Sequence, residues 1–297
     1  MPKRFLGNIA LLLTASIWGV SFVAQKTGMD FVGPFTFNFV RSIIGGFSLL
    51  PLIFIAKYLT NDTRTQKRKT VQRIRVAQAG ISCGLALFFG MSVQQYCMLY
   101  ATAGKAGFIS ALYIVMVPII SMFLFKHKLG RHIIISVILA VMGLYLLCFK
   151  LDDGGFSFYD LLLLVGAFFY GIHILVVNHF SEKVEPVRTS CVQFFVVGLL
   201  SLPLMLLFEN PTLASIIAGK VPILYAGILT CGVAYTLQIV GQKYTTPVVA
   251  TIILCSESVF AVLGGALILG EVMNCKEILG CVLMISAILL SQLKQNK

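Results

Sequence analysis

The sequence predicts an all-α polytopic membrane protein, ten transmembrane helices arranged as two inverted five-helix repeats. Three observations predict it. The chain of 297 residues is 58% hydrophobic and only 11% charged, against about 25% charged in soluble globular proteins. Its apolar residues fall into ten stretches long enough, or nearly so, to span a bilayer. Its second half repeats features of its first. The excess of 23 Lys and Arg over 11 Asp and Glu fits basic loops on one membrane side better than a nucleic-acid partner.

In chain order the stretches are 6–25, 35–56, 76–99, 106–125, 132–149, 158–178, 189–208, 221–240, 247–269 and 278–293. All are too apolar all round to be surface helices of a soluble protein. The opening MPKRFLGNIALLLTAS has the basic start and apolar run of a signal peptide. We read it as the first span instead, because the apolar pattern continues to Val23 and has a counterpart in the second half. The largest hydrophilic insert is the basic segment 57–75.

Seventeen of the Lys and Arg fall on one side of these spans and five on the other, with Arg41 inside a span. The positive-inside rule then predicts that both termini are cytoplasmic, and we expect the plasma (inner) membrane as the location. At an offset of 152, Ala15 matches Ala167, Trp18 and Gly19 match Tyr170 and Gly171, Pro34 matches Pro186 and Pro51 matches Pro203. Through the third span the offset becomes 143, pairing Gly84 with Gly227, Gln95 with Gln238 and Thr102 with Thr245, and Pro118 then falls opposite Ser258 at 140. Five spans per half invert the second half, giving repeats over 1–150 and 151–297. Inverted repeats of this kind carry sites near the midplane where the halves meet.

The four His and eight Cys form no metal-ligand spacing, and seven of the eight Cys sit in or beside apolar segments. We expect small buried hydrophobes, no metal and no cofactor. No Walker motif is present for ATP, and no nucleophile motif or paired-His motif marks an intramembrane enzyme. An intramembrane enzyme and a non-transporting receptor or scaffold remain as alternative classes.

Glu257 stands in the apolar run 247–271. A carboxylate at the bilayer centre costs at least about 2.5 kcal/mol on insertion scales, and such acids usually face a bundle interior or a water-filled path. Counted from Pro247 as one continuous helix, Glu257 is the eleventh residue, about 15 Å in and near the midplane of a core about 30 Å thick. Ser256 and Ser258 flank it as hydrogen-bond partners. The acid is tolerable there if protonated or paired, so a structural role stays open beside a functional one.

The first span puts Thr14, Trp18, Ser21 and Gln25 on one face, with Phe22 beside them. By repeat symmetry Tyr170 and His173 take the positions of Trp18 and Ser21. Gln95 and Gln238 are paired amides, with Gln94 and Gln242 close by, offering donors and acceptors to a zwitterionic or polar ligand or bridging helices. Each of these positions has packing as its alternative. Arg41, near the external start of the second span, reads as a snorkelling or loop-anchoring residue, or as a carboxylate contact at the outer mouth. Asp30 and Glu182 read as loop charges, and Glu271 as a structural or gate residue. Small-x-x-x-small pairs, Ala15 with Gly19, Ala167 with Gly171, Gly80 with Gly84 and Ser42 with Gly46, read as helix-packing seams. Pro118 is expected to bend its helix.

SIWGVSFVAQK in the first span, Arg41 in the second, TAGKAGFISALYIVMVP entering the fourth and ESVFAVLGGALILGE ending the ninth resemble the drug/metabolite transporter superfamily, specifically its EamA-domain family. The resemblance runs along nearly the whole chain. It implies a ten-helix secondary transporter for the export or import of small metabolites, often amino acids, by alternating access through a central cavity, with export the expected direction. The partners it implies are a small-molecule substrate and the lipid bilayer, with protons as the candidate coupling ion and no nucleic acid. Candidate substrate-binding residues are Trp18, Ser21, Phe22, Gln25, Gln95, Tyr170, His173, Gln238 and Glu257. Two departures stand out: Ser258 where the family commonly has Pro after the Glu, expected to leave that helix straighter, and the basic run Lys126, His127, Lys128 where an acid often ends the fourth helix.

Overall fold

A computed structural model describes residues 3–59, 65–125, 130–148, 157–269 and 274–293. Glu271 and the run Lys126, His127 and Lys128 lie outside the described residues. Within them every regular element is helical. Seven helical stretches are long and apolar enough to cross a membrane, and the shorter stretches Arg131–Leu147 and Pro247–Leu263 are also apolar.

Three long helices open the chain: α1 (Lys3–Gly28), α2 (Pro34–Leu59) and α3 (Gln66–Cys97). Proline begins α2, where its missing N–H falls among the donors that a helix start leaves unbonded anyway. The next two N–H groups are capped from far along the chain. The Glu209 carboxylate accepts from Phe35 N and Thr36 N, both at 2.8 Å, and from Thr36 Oγ1 at 2.5 Å.

The fourth apolar stretch is two helices, α4 (Ala103–Ser110) and α5 (Tyr113–Phe125), followed by α6 (Arg131–Cys148). The helix path breaks at Ala111 and Leu112, while Pro118 sits within an uninterrupted α5. The break in this stretch therefore lies upstream of the proline. Next come α7 (Phe158–Ser181), opened by a capping box between Ser157 and Asp160, and α8 (Pro186–Phe208). Two short helices, α9 (Leu213–Ala218) and α10 (Lys220–Leu224), lead into a π-helical segment, Tyr225–Ala234, continued by α11 (Tyr235–Gln242). The chain closes with α12 (Pro247–Leu254), α13 (Glu257–Leu269) and α14 (Cys275–Ser291).

The ninth stretch is broken too. It turns at Cys255 and Ser256, so Glu257 is the first residue of α13 and not the eleventh of a continuous helix. Absence of the proline does not straighten this stretch; turn bonds such as Ser256 N to Ile253 O and Ser258 N to Cys255 O carry the break. The two broken stretches share one plan of eight helical residues, two turn residues and then a second helix. Each opens on a threonine cap, with Thr102 accepting from Lys105 N and Thr246 from Val249 N. These landmarks set Thr102 opposite Thr246 and Tyr113 opposite Glu257, a register differing from the pairings Thr102 with Thr245 and Pro118 with Ser258.

Close helix contacts hold these elements. α2 packs on α8 and the π segment, α3 on α7 and α8, α6 on α14, and α1 on α11, α13 and the π segment. Glycines permit the nearest approaches. A Cβ on Gly80 or Gly84 would stand 2.5 or 2.7 Å from Val192 or Val196 of α8. Gly143 and Gly280 meet reciprocally, each position's Cβ falling about 3 Å from the other's carbonyl oxygen. Phe37, Phe194, Leu11 and Leu87 are fully buried in the interior, while Phe54, Leu124 and Leu206 are among many apolar side chains left on the outside. An apolar exterior suits hydrocarbon surroundings.

Candidate functional site

The described residues line a partly open cavity with about 600 Å³ of empty space, open solvent included. Trp18, Ser21, Phe22 and Gln25 come to it from α1, where spacings of three and four residues stack them on one face. Arg41 comes from α2, and Met91 and Gln94 from α3. Ser110 and Tyr113 flank the first helix break; Glu257 follows the second. Tyr170, His173 and Ile174 on α7, Thr230 on the π segment, and Tyr235 and Gln238 on α11 complete the wall.

Aromatic rings shape one side. The Trp18 ring lies 4.7 Å from that of Tyr235, which meets His173 edge-on at 5.7 Å and Phe194 at 5.1 Å. A ring wall of this kind gives apolar contact without rotamer-rich side chains to immobilise. His173 Nε2 lies 3.2 Å from Gln193 Oε1, a bond that orients the ring. Tyr170 donates to Gln94 Oε1 at 2.7 Å. Thr230 Oγ1 donates to Ser21 Oγ at 3.0 Å, and Thr14 Oγ1 donates to Ala234 O at 3.0 Å, tying α1 to the π segment and its end.

Several polar atoms of this wall have no hydrogen-bond partner among the described residues. They are Trp18 Nε1, Gln25 Oε1, Arg41 Nε, Ser110 Oγ and both amide atoms of Gln238. Buried polar atoms of native proteins are usually bonded, so these atoms are open to bonds from water or from a polar ligand. Glu257 is 6% exposed, and among the described residues no side chain bonds or pairs with its carboxyl. Ser256, an expected partner, donates instead to Ile253 O at 2.6 Å.

Eight of the nine residues singled out by sequence are in this wall. The ninth, Gln95, is fully buried behind it and donates to Gln25 O at 3.4 Å; its neighbour Gln94 lines the cavity in its stead. Arg41 is not at a solvated mouth. It is 2% exposed and lines the cavity about 10 Å along α2. Gln242 bridges helices, donating to Ile174 O at 2.9 Å. Asp30 and Glu182 are exposed, as loop charges should be. Tyr113, Thr230 and Tyr235 line the cavity without having stood out in the sequence. Tyr235 was within reach, since it precedes Gln238 by about one helical turn.

The chain matches the EamA-like transporter family twice, over residues 5–149 and again over 157–293. The chain belongs to the EamA-like transporter family. It is 30% identical over 296 residues to an uncharacterized transporter of Archaeoglobus fulgidus, covering 98% of this chain and 87% of the relative. An uncharacterized transporter of Clostridium kluyveri is 25% identical over 293 residues, with 94% and 90% covered. The uncharacterized transporter YoaV of Bacillus subtilis is 23% identical, with 98% and 97% covered. One solved crystal structure shares the fold, with a TM-score of 0.78 at 15% identity and 96% of each chain covered. The chain of this EamA-like family is thus a multi-pass membrane protein of a transporter family.

Proposed function

We infer that this EamA-like protein is a secondary transporter that exports small organic metabolites, amino-acid-like solutes first among them, across the plasma membrane by alternating access. In this reading the ten apolar stretches are ten crossings, both termini are cytoplasmic, and the halves 1–150 and 151–297 are inverted copies. The observation that carries it is the cavity itself. Its wall is drawn from both halves and includes the residues after both helix breaks, Tyr113 and Glu257. Two family matches and the shared plan of the broken helices support the duplication. Discontinuous helices meeting at a cavity between repeats suit rocking of one half against the other.

Glu257 binds either a proton or the solute's cationic group, and mutually exclusive occupancy is what an antiporter needs. The amides of Gln25, Gln94 and Gln238 and the aromatic wall recognise the remainder of the solute. Reconstitution into proteoliposomes with an imposed pH gradient tests this. Glu257→Gln should abolish pH-driven accumulation while leaving the protein folded. Full proton-coupled flux in that variant would end the coupling role, and loss of folding would make the acid a structural residue.

A further inference from the structure

We propose that Arg41 anchors a carboxylate on the transported solute, so that an anionic group is obligatory in the substrate while a cationic one is not. This deepens the transport reading and rests on it.

An arginine does not lose its proton in a protein, so burial cannot neutralise it as it can a carboxylic acid. Arg41 is 2% exposed and, among the described residues, has no carboxylate within ion-pair distance. A buried charge without a counter-charge is strongly destabilising. Its neighbours orient it without compensating it. Nη2 donates to Asn38 Oδ1 at 2.6 Å, and Asn38 Nδ2 donates in turn to Met91 O at 3.2 Å, which turns the amide oxygen toward the guanidinium. The guanidinium carbon lies 5.2 Å from the centre of the Phe37 ring. Among the described residues one N–H of five is thus held, and Nε is buried with no partner.

What remains is a fixed guanidinium in a cavity wall, the geometry that binds a planar carboxylate through paired N–H donors. Glu257 lines the same cavity but does not pair with Arg41. A solute with both charges would satisfy both residues, and a solute with only a carboxylate would satisfy Arg41. Only Glu257 can adapt, by taking up a proton. A small inorganic anion such as chloride has the same sign as a carboxylate, so the experiment must separate the two.

The test uses purified full-length protein in detergent, with affinity read from thermal stabilisation. The ligands are matched sets of an amino acid, its primary amide and its decarboxylated amine, each at low and high chloride. In the wild type the acids should bind at least about tenfold more tightly than the amides and amines at either chloride level. Arg41→Lys should keep that preference with weaker binding, because the charge stays and the fork is lost. Arg41→Gln should level the three ligands to within about twofold. Equal binding of acid, amide and amine by the wild type would overturn the proposal with no variant needed, and so would stabilisation that follows chloride alone. Preference for acids by a protein that moves nothing in proteoliposomes would end the transport reading and keep the Arg41 assignment. Flux of a purely cationic solute, undiminished in Arg41→Gln, would do the reverse.

Discussion

Gly19→Ala is the smallest change that should disturb the cavity from outside it. A Cβ at this position of α1 would stand 2.6 Å from Glu257 O, 2.8 Å from Ala261 N and 2.9 Å from Phe260 Cβ, where ordinary contact begins at 3.4 Å. Two of the three obstacles are backbone atoms, which no rotamer change can remove. The N-terminal turn of α13 must therefore retreat by about 0.8 Å, the difference between 3.4 and 2.6 Å. Overpacking of this size costs about 1–3 kcal/mol, and the better helix propensity of alanine offsets up to about 1 kcal/mol of it. The net expectation is a loss of about 1–2 kcal/mol, or roughly 2–8 °C in melting temperature. Because the retreating turn begins at Glu257, flux should fall further than stability does. Gly107→Ala is the control. Its nearest obstacle is the Phe22 ring at 3.6 Å, ordinary contact, so that variant should melt at or above the wild-type temperature. Thermal unfolding of the two variants in detergent, alongside proteoliposome flux, makes the comparison. A Gly19→Ala protein that melts within about 1 °C of wild type and transports normally would refute the close approach of α1 and α13.

Other outcomes follow from the same packing. Lys105→Met leaves buried Asp160 without the ammonium now 2.8 Å away, and thermal unfolding should register a loss of about 3–5 kcal/mol; an unchanged melt would show the pair to be energetically idle. Glu209→Ala removes the acceptor for Phe35 N, Thr36 N and Thr36 Oγ1 and should cost about 1–2 kcal/mol, with faster amide exchange in the first turn of α2. Gly241→Ala sets a Cβ 2.6 Å from Leu11 Cγ and 2.8 Å from Gly7 O, so detergent-solubilised protein should unfold several degrees lower, about 1–3 kcal/mol less stable. A cysteine placed at Lys297 should resist membrane-impermeant reagents applied outside intact cells, and labelling there would reverse the assigned orientation.

Much of this molecule is legible in its sequence where a single helix decides the outcome. Trp18, Ser21 and Gln25 fall on one wall because polar residues three and four apart share a helix face whatever packs against it. Glu257 stands out because an acid in an apolar run is costly unless it faces protein or water. Where tertiary packing decides, the sequence is silent. Nothing in Leu254, Cys255 and Ser256 signals a turn, whereas Pro118, which does, lies inside an unbroken helix. Gln94 and Gln95 differ by one residue, about 100° of rotation, and only the packing of α3 selects which faces the cavity. Arg41 reads as near the surface from its distance to the helix start, but depth in a bundle depends on what covers the helix end. The facing glycines Gly143 and Gly280, and Gly7 and Gly241, belong to no small-x-x-x-small pair identified in the sequence, because each contact needs one glycine from each helix.

The matching plan of the two broken stretches bears on how such a protein came to be. A pair of identical half-length chains, assembled in opposite orientations, would hold the same side chain after each break, and any mutation would alter both at once. Joined in one gene, the positions are free to drift apart, and here one has a phenol, Tyr113, and the other an acid, Glu257. Under the proposed repeat, a lone carboxyl in the shared cavity is something that a symmetric pair of identical half-length chains could not hold.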